Sequence, residues 1–378
     1  VSGPKVRADV RLSVQVGRVV EIVASRAGAV ELLVELPGAA APERAILYPA
    51  LFPQPVAAGD CVLLNTTAVR LGLGSGGYHF VIAKVGGVPL REQEAAFPGH
   101  IIKLRYTPLQ VRCLAVEAKE SPHHEALQEA ETIAGMPVVV AGLHSQIAPV
   151  AAAVKAHTSG KAKIAYIMND TASLALGFSH LVEELRRTGL IDTTITAGQA
   201  FGGDLEAVNI YSALLAAKVV AKADLAIVAQ GPGNVGTDTL FGFGAIYQGE
   251  VVNAVGVLGG MPVAAARISF ADPRARHRGI SRQFLVSLGR VALWRAVVAI
   301  PELEEEKLSF LQEQLRQEGI SSRHEIVIEN GEAGIEELRR RQIRVTSMGR
   351  SMDEDREFFL AAGAAGAAAA KILNRQIA

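Results

Sequence analysis

The chain has 378 residues, 49% of them hydrophobic and 20% charged, with 38 Lys and Arg against 38 Asp and Glu. That length exceeds one typical domain and can bury a large core, and the composition excludes a disordered chain. The neutral balance supplies no global field toward nucleic acid or an anionic membrane, and no run of about 18 uncharged apolar residues is present to span a bilayer.

Cys61 and Cys113 are the two cysteines, too few for a disulfide framework and without CxxC spacing for zinc. A reducing, cytoplasmic setting is the expectation. The opening Val1-Ser2-Gly3-Pro4-Lys5 begins no continuous apolar core of a secretion signal.

From residue 10 to 108 the apolar runs are short and broken by Gly and Pro: 17–23, 30–36, 45–48, 61–64 and 78–83. Gly59-Asp60 is a turn signal, and residues 72–77 form a Gly-rich connection. Five or more short strands in a small β-barrel or β-sandwich fit this spacing, giving a β-rich module over 1–108. An OB-like or SH3-like barrel can bind RNA. Aromatic residues are only 5% of the chain, however, and do not interleave here with a basic stripe, which argues against nucleic acid.

After a junction at 109–122 the pattern becomes β-branched runs alternating with amphipathic helices, predicting an α/β domain over 123–378 with a parallel sheet in three layers. Strands are expected at 137–141, 163–168, 193–197, 225–229, 263–269, 296–300, 324–328 and 342–347. Helices are expected at 205–222, capped by Asp204, and at 303–317. The Ala-rich stretch 361–370 reads as a closely packed helix. Its small-residue face over 363–370 suits either a helix of its own domain or a second copy in a homo-oligomer.

In open parallel sheets ligands bind beyond the carboxyl ends of the strands. Six loops there are rich in small and polar residues, beginning at Gly142, Asn169, Gly198, Gln230, Phe270 and Gly349. The sharpest is Gly231-Pro232-Gly233-Asn234-Val235-Gly236-Thr237, a formal GxGxxG. Its backbone can cradle a phosphate or carboxylate. Phe241-Gly242-Phe243-Gly244 prolongs the irregular region, and the next strand ends without a suitably spaced acid, so the dinucleotide reading is weak. No Lys-Ser or Lys-Thr pair makes it a Walker loop. The open readings are an anion nest and a structural turn.

A second feature runs from Arg267 through Asp272, Arg274, Arg276, His277 and Arg278 to Arg282. Clustered guanidinium groups repel unless an anion or carboxylates lie among them. An acidic ligand satisfies this, and so does pairing with Asp272 and the acidic C-terminal segment. Asp170, Asp204, Glu206, Asp238 and Asp272 are acid or base candidates, and His144 and His277 are proton shuttles. Asp204 and Asp238 read equally as helix N-caps. His123 and His124 lack a second spaced histidine for a metal, and no Ser lies in GxSxG.

The motifs Asn65-Thr66-Thr67-Ala68, Gly142-Leu143-His144-Ser145, Phe201-Gly202-Gly203-Asp204-Leu205-Glu206-Ala207, the 231–237 loop and residues 269–281 together resemble an uncharacterised bacterial family of unknown function. That resemblance runs the full chain and implies a two-part cytoplasmic protein, with no activity, cofactor or catalytic residue to transfer. The residues themselves lead to an enzyme-like protein binding a small anionic or phosphorylated metabolite at the carboxyl edge of the sheet. In it Asp170 and His144 move protons, while Gly231, Gly233, Asn234, Gly236, Thr237, Asp272, Arg274, Arg276, His277 and Arg278 bind the ligand. The alternative is a non-catalytic sensor or scaffold acting through the β-rich module.

Overall fold

Apolar residues at every second position bury one face of a strand, and the five N-terminal runs are five strands. β1 (Val14–Arg26), β2 (Ala29–Glu35), β3 (Glu43–Leu47), β4 (Cys61–Asn65) and β5 (His79–Val85) close into a barrel in the order β1-β2-β3-β5-β4. Val19, Leu32, Val34, Ala45, Leu47, Val62 and Leu64 fill it. β1 pairs with β4 over its first residues and with β2 over the rest, and register shifts after Val19 and Ile22 bend it between the two. At Gly17 a Cβ would stand 2.9 Å from Leu64 Cδ1 and 3.0 Å from Leu36 Cδ2, so a larger residue there would make the barrel core repack. β3 and β5 run parallel and the other pairs antiparallel, the Greek-key arrangement of OB barrels. A one-turn helix, α1 (Thr67–Arg70), follows β4.

The structure, a computed structural model, describes residues 12–52, 54–73, 75–86 and 99–377. The opening Val1 to Lys5 and Gly74 of the Gly-rich connection lie outside them. Two compact units divide between Phe97 and Pro98, earlier than the boundary expected at 108. The reason is a hairpin, β6 (Ile101–Lys103) and β7 (Val111–Cys113), that belongs to the larger unit. Buried Lys103 donates to Thr196 O at 3.0 Å, Ala200 O at 2.6 Å and Glu206 Oε2 at 2.6 Å. Three acceptors for three N–H bonds make a buried ammonium tolerable. α2 (His124–Glu129) leads from the hairpin toward the sheet.

In the larger unit β8 (Pro137–Ala141), β9 (Ile164–Asn169), β10 (Thr193–Ala197), β11 (Leu205–Ala207), β12 (Leu225–Gln230) and β13 (Met261–Ala265) lie in one sheet. β14 (Ile268–Ser269) and β15 (Gly279–Ile280) form a separate antiparallel ribbon, and β16 (Val297–Pro301) and β17 (Glu325–Glu329) complete the sheet. Its order is β11-β10-β9-β12-β8-β13-β16-β17, all parallel. β8, β9 and β12 are buried throughout, as strands covered on both faces must be.

The helices divide by face. Val138, Val140, Ala226 and Val228 point to the side covered by α5 (Ile210–Val219), α6 (Tyr247–Val257), α7 (Arg282–Val286) and α8 (Glu305–Gln317), with Ile320 of α9 (Ile320–Arg323). Val139, Ala141, Ile227 and Ala229 point to α3 (Ile147–His157), α4 (His180–Arg187), α10 (Glu332–Arg340) and α11 (Arg356–Ile377). α7 continues as a π-helical turn over Ser287–Val291. Residues 361–370 are all buried within the chain, so internal packing accounts for their small side chains. Among the described residues no helix is long and apolar enough to cross a membrane.

Three expected elements differ. Residues 205–207 form β11 and the helix opens at Ile210, capped by Asn209, whose Oδ1 accepts from Tyr211 N at 2.9 Å and Ser212 N at 3.1 Å. Asp204 instead accepts from Thr194 N and Oγ1 and pairs with Arg186 at 2.7 Å. Parallel neighbours usually need a crossover of about a dozen residues, whereas β10 and β11 are joined by residues 198–204 alone. The run 263–269 leaves the sheet after Ala265 and re-forms as β14. Residues 342–347 are not a strand, because Gln342, Met348 and Gly349 take left-handed backbone and leave only a Ser347–Arg350 bridge.

Candidate functional site

All eight strands point one way, so the loops after β8, β9, β10, β12 and β13 gather at one edge. Gly231, directly after β12, is buried, and a Cβ there would run into the Ser173 carbonyl oxygen. Glycine thus lets the loops after β9 and β12 touch, with Ser173 N donating to Pro232 O at 3.3 Å. Gly233 takes φ +102, a conformation natural to glycine. The chain then doubles back: Gly236 bridges Phe243, Thr237 N donates to Gly242 O at 2.9 Å, and Gly244 N to Val235 O at 2.8 Å. α6 opens only at Tyr247, unlike a dinucleotide loop that runs straight into its helix.

A cleft of about 790 Å³ lies beside this loop. Its walls are Leu143, His144 and Ser145 after β8, the carboxylates Glu183 and Glu184 with Arg187 of α4, Pro232, Gly233 and Asn234 of the loop, and Arg344, Val345 and Ser347. Among the described residues the Gly233 and Asn234 amides find no acceptor, and Arg344 has no hydrogen bond or ion pair, whereas Arg187 is paired with Glu184 at 2.7 Å.

His144 donates from Nδ1 to Gln230 O at 3.0 Å, which leaves Nε2 to accept from Ser179 Oγ at 2.7 Å. Ser179 also caps α4, accepting from Val182 N at 3.0 Å. Burial lowers the His144 pKa to about 4, against the Gln230 carbonyl, which raises it. The ring is therefore neutral at pH 7, with both nitrogens already hydrogen-bonded.

The arginine segment meets the glycine loop as its place after β13 suggests. Arg276 pairs with Asp238 at 2.5 Å, and Gly236, Thr237, Arg276 and His277 share a cavity of about 40 Å³. Asp238 caps no helix and sits at φ +56. Asp272 is spent on cations: Oδ1 accepts from Arg274 N and Nε at 3.1 and 2.9 Å, and Oδ2 from Arg267 and Arg274 at 2.8 Å and Arg350 at 3.4 Å. For Arg274, then, pairing with Asp272 is the reading the geometry supports. Arg278 is exposed. His277 accepts from Arg276 Nε at 3.3 Å and donates to Ser281 Oγ at 2.9 Å. Its pKa is lowered to about 4 by burial and then by Arg267 and Arg274.

Asp170 is not beside His144. It follows β9, accepts from Gln199 N at 2.9 Å, and lines a third cavity of about 410 Å³. Glu206 is committed to Thr196 Oγ1, Gly202 N and Lys103. His124 binds the Glu117 carbonyl, and among the described residues no three His, Cys, Asp or Glu gather to hold a metal. Cys61 and Cys113 are free thiols, and burial pushes that of Cys113 up to about 11. Arg344, Ser347 and Ser179 escaped the sequence reading. The first two fall in the expected strand at 342–347, whose alternate polar residues were the available signal.

The two depressed histidines fix a pH dependence. The unfolded chain takes up these protons near pH 6.5 and the folded one near pH 4, so the unfolded state binds more protons between. Stability is full above pH 6.5 and falls as the pH drops toward 4. Imidazole NMR titration should show both rings still neutral at about pH 5.5; a midpoint near 6.5 for either would contradict its burial.

No curated protein and no solved structure matches the chain. A family model described as "Protein of unknown function (DUF3866)" matches residues 44–366, from β3 through the first half of α11. That span takes in every cleft-lining residue named above, and the chain belongs to the DUF3866 family of proteins of unknown function.

Proposed function

We propose that this is an enzyme-like protein that binds a small anionic or phosphorylated metabolite in the cleft at the carboxyl ends of β8 and β12. The observation that carries the reading is Arg344, an exposed guanidinium without a protein partner among the described residues, on the wall of a cleft that also holds the solvent-facing Gly233 and Asn234 amides. The volume falls in the range of small-molecule sites. His144, neutral and held between Gln230 and Ser179, lines the same wall as a fixed polar contact for the ligand. Arg274 and Arg276 stand at the same edge with their charge already met by Asp272 and Asp238, so Arg344 takes the anion in their place. The free cysteines suit a reducing cytoplasm.

Calorimetry with inorganic phosphate, acetyl phosphate, oxalate and citrate tests this. Arg344→Ala should weaken the anion that binds by about 1.5–3 kcal/mol, the worth of a hydrogen bond to a charged group. Equal affinity in the variant would remove the cleft as the site. Turnover of the bound compound marks an enzyme, and saturable binding without product marks a sensor.

A further inference from the structure

β9 and β12 are neighbours whose chains leave in opposite directions: from β9 through α4 to β10, and from β12 through α6 to β13, over opposite faces of the sheet. Such a divergence opens a crevice, the usual ligand position in a doubly wound sheet. The cavity of about 410 Å³ borders this crevice, lined by the loops after β9 and β10, the start of α5, and α6.

Its polar groups are fixed and partly unused. Asn169 is 7% exposed, and its Oδ1 accepts from Thr171 N at 3.2 Å and Thr171 Oγ1 at 2.7 Å. That sets the orientation of the amide and leaves Nδ2 without an acceptor among the described residues, on the wall of the cavity. It is not one of the buried groups left without a partner, so it faces the open space of the cavity, where a ligand hydroxyl can take the place of water. Next to it, Asp170 Oδ2 accepts from Gln199 N, and the carboxylate lies where any side chain at Gly198 would be, so its direction is set while Oδ1 stays open. An aimed donor and an aimed acceptor on consecutive residues match two adjacent hydroxyl groups, one accepting from Asn169 and one donating to Asp170.

The remaining lining agrees. Glu250 and Arg105 add a second acceptor and donor, and the exposed ring of Tyr211 supplies an apolar face for C–H groups or a base. With two carboxylates against one guanidinium the cavity does not suit the anion proposed for its neighbour. We propose that it binds a vicinal diol, carried on the hydroxylated ring of a sugar or of a nucleoside. The site uses different residues from the anion cleft, so either can fail without the other.

The experiment is calorimetry on the intact protein with D-ribose, D-glucose, adenosine and 2′,3′-dideoxyadenosine. At least one of the first three should bind saturably, with adenosine alone marking a nucleoside and the free sugars alone a sugar site. Asp170→Asn should weaken that ligand tenfold or more while still accepting from Gln199 N, and Glu250→Gln, at an exposed position, should weaken it without a folding cost. Arg344→Ala should leave it unchanged. No binding by any of the three at ~10 mM, equal affinity in both carboxylate variants, or dideoxyadenosine binding as tightly as adenosine would overturn the proposal.

Discussion

Asp272→Asn should lower the free energy of unfolding by about 3–5 kcal/mol, the cost of breaking a buried ion pair by removing one partner. The Asp272 side chain is fully buried and Arg267, 8% exposed, depends on it, while Arg274 and Arg350 close around the same carboxylate. Asparagine keeps one acceptor and no charge, so Arg267 is left as a buried cation, and its Nη1 already lacks a partner. Urea denaturation at pH 7 measures the loss. The Arg274 hydrogen bonds hold the Asp272 carboxyl far below the usual carboxylate range, followed by those of Arg267, with burial opposing them. Its contribution is thus complete above the unfolded pKa of about 3.9 and is lost as the pH falls below it. The variant should therefore lose part of the wild type's acid sensitivity. A loss under about 1 kcal/mol, the scale of an exposed pair, would mean that solvent reaches the cluster.

Gly366→Val should cost roughly 3 kcal/mol or more, at the upper end of overpacking. Valine lacks none of the helix propensity of glycine, and the exchange even gains a few tenths of a kcal/mol on that account. Packing overrides this gain. A Cβ at 366 would stand 2.5 Å from the Val150 carbonyl oxygen and 2.9 Å from Ala153 Cβ of α3, and Gly334 and Gly363 sit in the same contact between α3, α10 and α11. Backbone oxygen cannot step aside as a flexible side-chain end can. Chemical denaturation should show a lower midpoint, and a variant as stable as wild type would show that α11 is not seated against α3.

How much of this was legible in the sequence differs by element. The five barrel strands and the buried runs of β8, β9 and β12 announce themselves because alternation, or its absence, follows directly from how many faces are covered. β11 was not legible, because its three residues are strand only by pairing with β10, a partner the local pattern does not contain. The same holds for the site. That the glycine loop and Arg276 share an edge follows from strand direction alone. Whether Arg274 faces a ligand or Asp272, and whether Asp170 stands with His144 or one strand further along, depends on side-chain partners and strand order, which residue spacing does not encode.

The late position of α11 bears on how the larger unit is made. Translation proceeds at about 5–20 residues per second and domains begin to fold as they emerge, yet Arg356–Ile377 is produced after every strand of the sheet it covers. Until then Val139, Ile227 and Ala265 present an apolar surface shielded only by α3 and α4, and then by α10. A nascent chain that has not yet made residue 356 thus carries an open hydrophobic face, and synthesis of α11 is the step that covers it.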